Sequence, residues 1–325
     1  QLLESIQDDV LGEISVEVIQ LEGCKNLKVL TALNPGRQVT GEALAKLGPR
    51  INDVWIGLSH LKDPNSALEA LVSGNGKQIQ HFGVVVESFQ SVNWNLITDN
   101  LLNLRSLKMT FGSYGKGSLT EFSKLKQLEF IVLAEDSRDE EHTVLTDNNV
   151  IPIIKSCNKL RSIAIAGTKK LTCRVGDATM KLIPKHCPNV EQVRFLNAFF
   201  ITDVSLENYF TKLKMIRVLH LSAVEHITTR GVIKFLEGTK ETIRNFRVND
   251  CPKVTDEVME ALIKIAKFRP FEKIKAYLDG MTINQKYHDD KPYNLIVDTR
   301  VNREERFSSM NSLSSTTQQQ ESNQD

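Results

Sequence analysis

An apolar pattern, L-x-x-L-x-L, returns ten times along this chain at nearly constant spacing, and that recurrence constrains the fold more than any other feature. The copies start at Leu27, Ile51, Ile79, Leu104, Leu128, Leu160, Val190, Ile216, Ile243 and Phe271. Their third apolar positions are Ala32, Ile56, Val84, Met109, Leu133, Ile165, Phe195, Leu221, Val248 and Ala276. From Leu27 to Phe271 is 244 residues in nine steps, a mean of about 27. The second and third apolar residues alternate with other side chains, the period of a half-buried strand. Residues 243–265 show the whole unit: Phe246 and Val248 on the strand, a turn at Asp250-Cys251-Pro252, then Thr255 as a helix cap with Asp256 and Glu257 in the first turn. Val258, Leu262 and Ile265 follow on one helical face. The helix-entry signal recurs at Thr40, Thr98, Thr120, Thr146, Thr202 and Thr228. A strand, turn and helix of fewer than ~30 residues cannot bury an apolar face alone and become stable by stacking. The expected fold is an α/β solenoid of about ten repeats, with a curved parallel sheet on the concave side and helices on the convex side.

The regular copies set the domain boundaries. Residues 1–23 read as an N-terminal helical cap or half-repeat, 24–280 as the solenoid and 281–307 as a C-terminal cap. Within that cap YNLIVDTRV, residues 293–301, is a candidate edge strand. In 308–325 only Met310 and Leu313 are substantially apolar among Ser, Thr, Gln and Asn, so a disordered tail is expected there. The longest step carries an acidic insertion, Asp136, Asp139, Glu140 and Glu141, without calcium-loop spacing, and reads as a solvated loop. The glycine-rich FGSYGKGS reads as a turn.

A formal charge of +1 gives no general pull towards nucleic acid or membrane. No apolar run approaches the ~20 residues that span a bilayer. The first residues lack the basic and apolar regions of a signal peptide, and no initiator Met is present, so a segment of a longer chain is expected. Five cysteines, an odd number spread along the sequence, do not form a disulfide framework. Cys24, Cys157 and Cys187 each stand three residues before a strand's first apolar position, which assigns them to packing as small buried hydrophobes. Neither metal nor cofactor is expected, and cytoplasm or nucleus is the expected compartment.

The half-repeat C-x-x-L-x-x-L-x-L-x-x-C-x-x-[IV]-T-D-x-x-[LVM] is legible in CNKLRSIAI from Cys157, CPNVEQVRF from Cys187 and IRNFRVNDCPKVTDEVM ending at Met259. It resembles the cysteine-containing subfamily of leucine-rich repeats, similar to the substrate-recognition region of F-box/leucine-rich-repeat proteins. The resemblance covers about residues 24–276. It departs from the pattern at the turn cysteine, which is present only at Cys251; Asp136, Thr168 and Ala198 hold equivalent places. The F-box, a short helical motif opening with Leu-Pro, is not among these residues. The resemblance implies a leucine-rich-repeat solenoid that recognises substrates for a cullin-type ubiquitin ligase, with ligase subunits as partners if an F-box lies upstream. A stand-alone scaffold or inhibitor is the alternative.

No G-x-S-x-G, H-E-x-x-H or P-loop is present, so the expectation is a binding protein and not an enzyme. A solenoid binds with its concave sheet, whose outward residues are the third, fifth and seventh of each L-x-x-L-x-L-x copy. The central column reads Thr31, Trp55, Gly83, Lys108, Val132, Ala164, Arg194, His220, Arg247 and Lys275. Arg194, His220, Arg247, Lys273 and Lys275 form the candidate basic stripe, with no acidic residue among the twelve outward positions of the last four copies. Phe130 and Val132 form the candidate apolar anchor. The expected partner is a protein, bound through an acidic or phosphorylated segment; membrane and nucleic acid are not expected.

Overall fold

The computed structural model describes residues 24–33, 41–112, 117–136, 143–167 and 173–300. They form one parallel sheet of eleven strands, each hydrogen-bonded to its neighbours in sequence order. The strands are β1 (Val29–Ala32), β2 (Asp53–Gly57), β3 (His81–Val86), β4 (Ser106–Phe111), β5 (Phe130–Glu135), β6 (Ser162–Gly167), β7 (Gln192–Leu196), β8 (Val218–Ser222), β9 (Asn245–Asn249), β10 (Ile274–Tyr277) and β11 (Leu295–Asp298). Helical segments fill the connections, from the short turn Glu42–Lys46 to the full helices Thr229–Gly238 and Val258–Phe268. The chain is an α/β leucine-rich-repeat solenoid.

Register converts the sequence pattern into a core. Leu30, Val54, Phe82, Leu107, Ile131, Ile163, Val193, Leu219 and Phe246 lie side by side across the first nine strands. Two residues further on, Ala32 to Val248 make a second row, and both rows are buried. Strand entry is equally repetitive. The amides of Leu128, Leu160 and Val190 each donate to the carbonyl three residues back, at Leu125, Cys157 and Cys187. Here the cysteines find their use: Cys157 Sγ donates to Leu125 O at 3.3 Å and Cys187 Sγ to Ile154 O at 3.3 Å, one repeat earlier. Burial pushes these thiols up to about 11 and about 12. Cys24 departs from expectation; at the first described strand it is only half-buried.

The Thr-Asp signal does something other than simple capping. Thr146 and Thr228 are N-caps as expected, accepting from Asn149 N and Gly231 N. The aspartates, however, reach forward into the next repeat. Asp147 accepts from Gly176 N and from Thr179 N and Oγ1; Asp177 accepts from Thr202 N, Thr202 Oγ1 and Ser205 Oγ. Asp203 accepts from Thr228 N at 2.8 Å and Thr228 Oγ1 at 2.7 Å, and Asp256 from Asn284 N at 2.8 Å. Gly231 is required at this junction, since a Cβ there would lie 2.0 Å from Asp203 Oδ1. Thr255 does not cap its helix, which starts at Val258; its amide donates to Thr229 Oγ1.

Two expectations fail near the C-terminal end. Phe271, taken as the first core position of the tenth copy, is 96% exposed, while Ile274 is fully buried. Ala276 pairs with Phe246 and not with Val248, and Tyr277 pairs with Arg247, a shift of two residues. Residues 250–257, between β9 and the helix Val258–Phe268, are two more than separate β8 from Thr229–Gly238, which delays the helix and the turn that follows it. Arg269 donates there to Glu241 O and Ile243 O, and Asn294 Nδ2 gathers the carbonyls of Ala266, Arg269 and Glu272. The candidate strand at 293–301 is β11, parallel to β10. Residues 1–23, 139–141 of the acidic insertion and the tail from 308 lie outside the described residues.

Phe246 packs at the centre of this stack with no exposure. Phe246→Ala should lower stability by about 3–5 kcal/mol in denaturant titration; a loss under ~1 kcal/mol would mean that the site is not part of a close-packed core.

Candidate functional site

Outward residues alternate with the core rows, so register fixes the concave columns as firmly as the interior. The central column is Thr31, Trp55, Gly83, Lys108, Val132, Ala164, Arg194, His220, Arg247, Tyr277 and Asp298. Three zones follow from its side chains.

In the first zone Trp55 lies across Gly83, where a Cβ would stand 2.3 Å from the indole, and Lys108 Nζ sits 4.9 Å from the ring centroid. A residue without a side chain at 83 is what lets the indole lie down between its neighbours. Burial lowers the Lys108 ammonium to about 8. Asp53, one row over, is pushed up to about 6 by burial, against a hydrogen bond with the Trp55 side chain that lowers it. Its Oδ1 is buried without a hydrogen-bond partner.

The middle zone is small and smooth: Val132, Ala134, Ser162, Ala164 and Ala166 are all buried although they point out of the sheet. They stand in register between the long side chains of Lys108 and Arg194. Phe130 is half-buried at the edge of this floor. Val132, at 3% exposure, has too little open surface to be an apolar anchor by itself, a correction to the sequence expectation.

The third zone holds Arg194, His220 and Arg247, adjacent in register as expected. His220 Nε2 donates to Asn249 Oδ1 at 3.3 Å. Burial, then the charges of Arg247 and Arg194, push the His220 imidazole down to about 3, so the ring is neutral near pH 7. Burial and the nearby Arg247 also lower the Arg194 guanidinium. Because of the two-residue shift, Lys275 pairs with Asn245 at the side of the face, and Lys273 lies before the start of β10. Both lysines are exposed but neither continues the stripe. Tyr277 takes that place, with the Arg247 guanidinium 4.4 Å from its ring centroid. The same shift brings Asp279 within 4.0 Å of Arg247, with side-chain exposures of 11% and 15%. The stripe is thus two arginines around a neutral histidine, bounded by an acid, and not a run of five cations. The longer connection before Val258–Phe268, silent in the apolar spacing, hid Tyr277 and Asp279 from sequence reasoning.

No protein-family model matches the sequence. Among solved structures the chain is similar to a chain of the Rad7–Elc1 complex of yeast, with a TM-score of 0.52 and 14% identity over 84% of this chain and 81% of that one. It is also similar to an internalin, InlF, from Listeria monocytogenes, with a TM-score of 0.53 and 13% identity over 87% and 76%. At such identities the likeness is one of fold.

Two ionisations report on these zones. A raised aspartate pKa means that the folded state holds a proton that the unfolded state has released, so between pH ~4 and ~6 the Asp53 contribution to stability falls as pH rises. Asp53→Asn should therefore raise stability at pH 7.5 by on the order of 1 kcal/mol, seen as a higher melting temperature, and leave it nearly unchanged at pH 4. An equal effect at both values would show that the carboxylate charge is not what costs stability. His220, held neutral, should show a flat imidazole C–H chemical shift from pH 8 to 5; a midpoint near the ordinary ~6.5 would place the ring in solvent.

Proposed function

We propose that this chain is a protein-interaction module that binds its partner on the concave face, and that it serves as the substrate-recognition part of a cullin-type ubiquitin ligase in the cytoplasm or nucleus. The observation that carries the interaction reading is the adjacency of Arg194 and Arg247 on either side of His220, beside the buried small-residue floor of β5 and β6. Two guanidiniums two strands apart stand about 10 Å from each other, a spacing that suits two acidic groups on one extended segment. Arginine grips carboxylates and phosphates through paired hydrogen bonds. Asp279 already neutralises part of the Arg247 charge, so an acidic segment has to compete with it, which favours a doubly charged phosphate over a single carboxylate. Phe130 gives such a segment a half-open apolar contact. Lys273 and Lys275, exposed at the side, would add only screened attraction.

The ligase assignment rests on the cysteine-containing repeat pattern. That a similar fold occurs in the two-protein Rad7–Elc1 complex is compatible with it. The alternative, a stand-alone scaffold or inhibitor, uses the same face and differs only in what accompanies it.

Both arginines are half-buried, so charge reversal would disturb folding, and truncation is the better probe. Arg194→Ala with Arg247→Ala should weaken binding of a phosphorylated acidic peptide ten- to a hundred-fold, roughly 1.4–2.8 kcal/mol, in calorimetry. Lys181→Glu with Lys234→Glu, at exposed positions outside the sheet, should leave it unchanged. Equal losses in the two pairs would sink the concave reading. Separately, purification of the full-length protein from its own cells should bring down a cullin adaptor; recovery without ligase subunits would favour the stand-alone alternative.

A further inference from the structure

The residue just before each strand belongs to a column of its own, linked amide to carbonyl from one repeat to the next, from Asn52 and Gln80 through Arg105 to Arg244. From Arg105 to Arg217 the charges of this column alternate. Glu129 pairs with Arg105 at 2.8 Å, and Glu191 is held from both sides, by Arg161 and, at 3.6 Å, by Arg217. The alternation stops at Arg105. Its other neighbour is Gln80, and a cleft of about 520 Å³ opens there, where the chain enters β2 to β5. Arg50 and Lys77 also line the cleft, and no Asp or Glu does. Both are exposed and, among the described residues, have no acid within ion-pair distance. Arg105 is already paired with Glu129, so the unbalanced charge is that of Arg50 and Lys77. The rest of the lining is mostly amide. Asn52, Gln78 and Gln80 make no side-chain hydrogen bond among the described residues.

We infer that this cleft binds an extended acidic segment of a protein partner, and that it is a second contact surface, apart from the arginine stripe on β7 to β9. The column itself shows what a carboxylate does at such a place. A partner carboxylate above Gln80 stands beside Arg105 as Glu191 stands beside Arg161 and Arg217, and it continues the alternation by one step. Arg50 and Lys77 supply the charge that the pair with Glu129 takes from Arg105. A side-chain amide offers both a donor and an acceptor, the complement of a peptide group, so Asn52, Gln78 and Gln80 suit the backbone of the same segment. Nucleic acid is the poorer fit. No aromatic side chain lines the cleft for a base to stack on, and two unpaired cations are few for a phosphate chain. Exposed ion pairs are individually weak and screened by salt, so the contact belongs to a partner held at low ionic strength or held elsewhere as well.

The test uses the full chain and an acetylated, amidated hexapeptide of alternating glycine and glutamate. A carbodiimide joins a carboxylate only to an amine that it contacts. At low salt the peptide should couple to Lys77 about tenfold faster than to the exposed Lys181 and Lys234, read by mass spectrometry of digests. Arg50→Gln should cut the Lys77 rate several-fold, and added salt should do the same. Arg194→Ala with Arg247→Ala should leave that rate intact, which separates this cleft from the stripe. In calorimetry Arg50→Gln with Lys77→Gln should weaken the peptide about fivefold, and Lys181→Gln with Lys234→Gln, an equal loss of charge, should not. All four positions are exposed, so an unchanged melting temperature checks the fold. Equal coupling at the three lysines, a Lys77 rate indifferent to Arg50→Gln, equal calorimetric losses in the two pairs, or tighter binding of oligothymidylate at the same ionic strength would each overturn the proposal.

Discussion

Everything in this structure depends on one repeat burying the face of the next. A strand of five residues with two inward side chains has no core of its own; Phe246 is buried because Leu219 lies beside it in register, and Leu219 because Val193 does. The backbone ladder holds the register. Polar groups at the junctions then tie the layers: cysteine thiols reach back to the carbonyls of the preceding repeat, and aspartates reach forward to the threonines of the next. Stability in such an array is the sum of nearest-neighbour terms. The concave face is therefore as rigid as the sheet beneath it, since each outward residue shares a strand with two buried ones.

Rigidity has an electrostatic consequence. Side chains fixed about 4.8 Å apart in a column cannot avoid one another, and the chain answers with variation along it. Lys108 is set over an indole, His220 gives up its proton, and Arg247 is shared between the Tyr277 ring and Asp279. Two of the eleven central positions keep guanidiniums, and these are separated by a neutral ring.

The fold was legible because the apolar period is a direct image of the buried rows: nine of the ten strand copies fall in the register that their spacing implies. The tenth failed for a physical reason. Phe271 has the right hydrophobicity and nearly the right spacing, yet the turn at Arg269–Glu272 is stabilised by buried hydrogen bonds from Arg269 and Asn294, which no apolar pattern records. The candidate face was less legible. Composition identified the arginines, but not which outward residues lose their charge or exposure, because both depend on neighbours about 30 residues away in sequence. Val132 was read correctly as outward but is buried between its neighbours, and His220, outward and half-buried, is neutral where a cation was expected.

The aspartate hand-off from repeat to repeat bears on how such a protein changes over evolutionary time. Asp147, Asp177 and Asp203 each complete a bond set begun in the following unit, and each following unit offers an amide at the same place, with a hydroxyl on it at Thr202 and Thr228 or three residues on at Thr179 and Ser205. Excision of one whole repeat from this block brings an aspartate against another amide and hydroxyl in the same region of the unit. No carboxylate is left stranded. Array length is thus free to vary by whole units, while an insertion of a few residues inside a unit breaks two junctions at once.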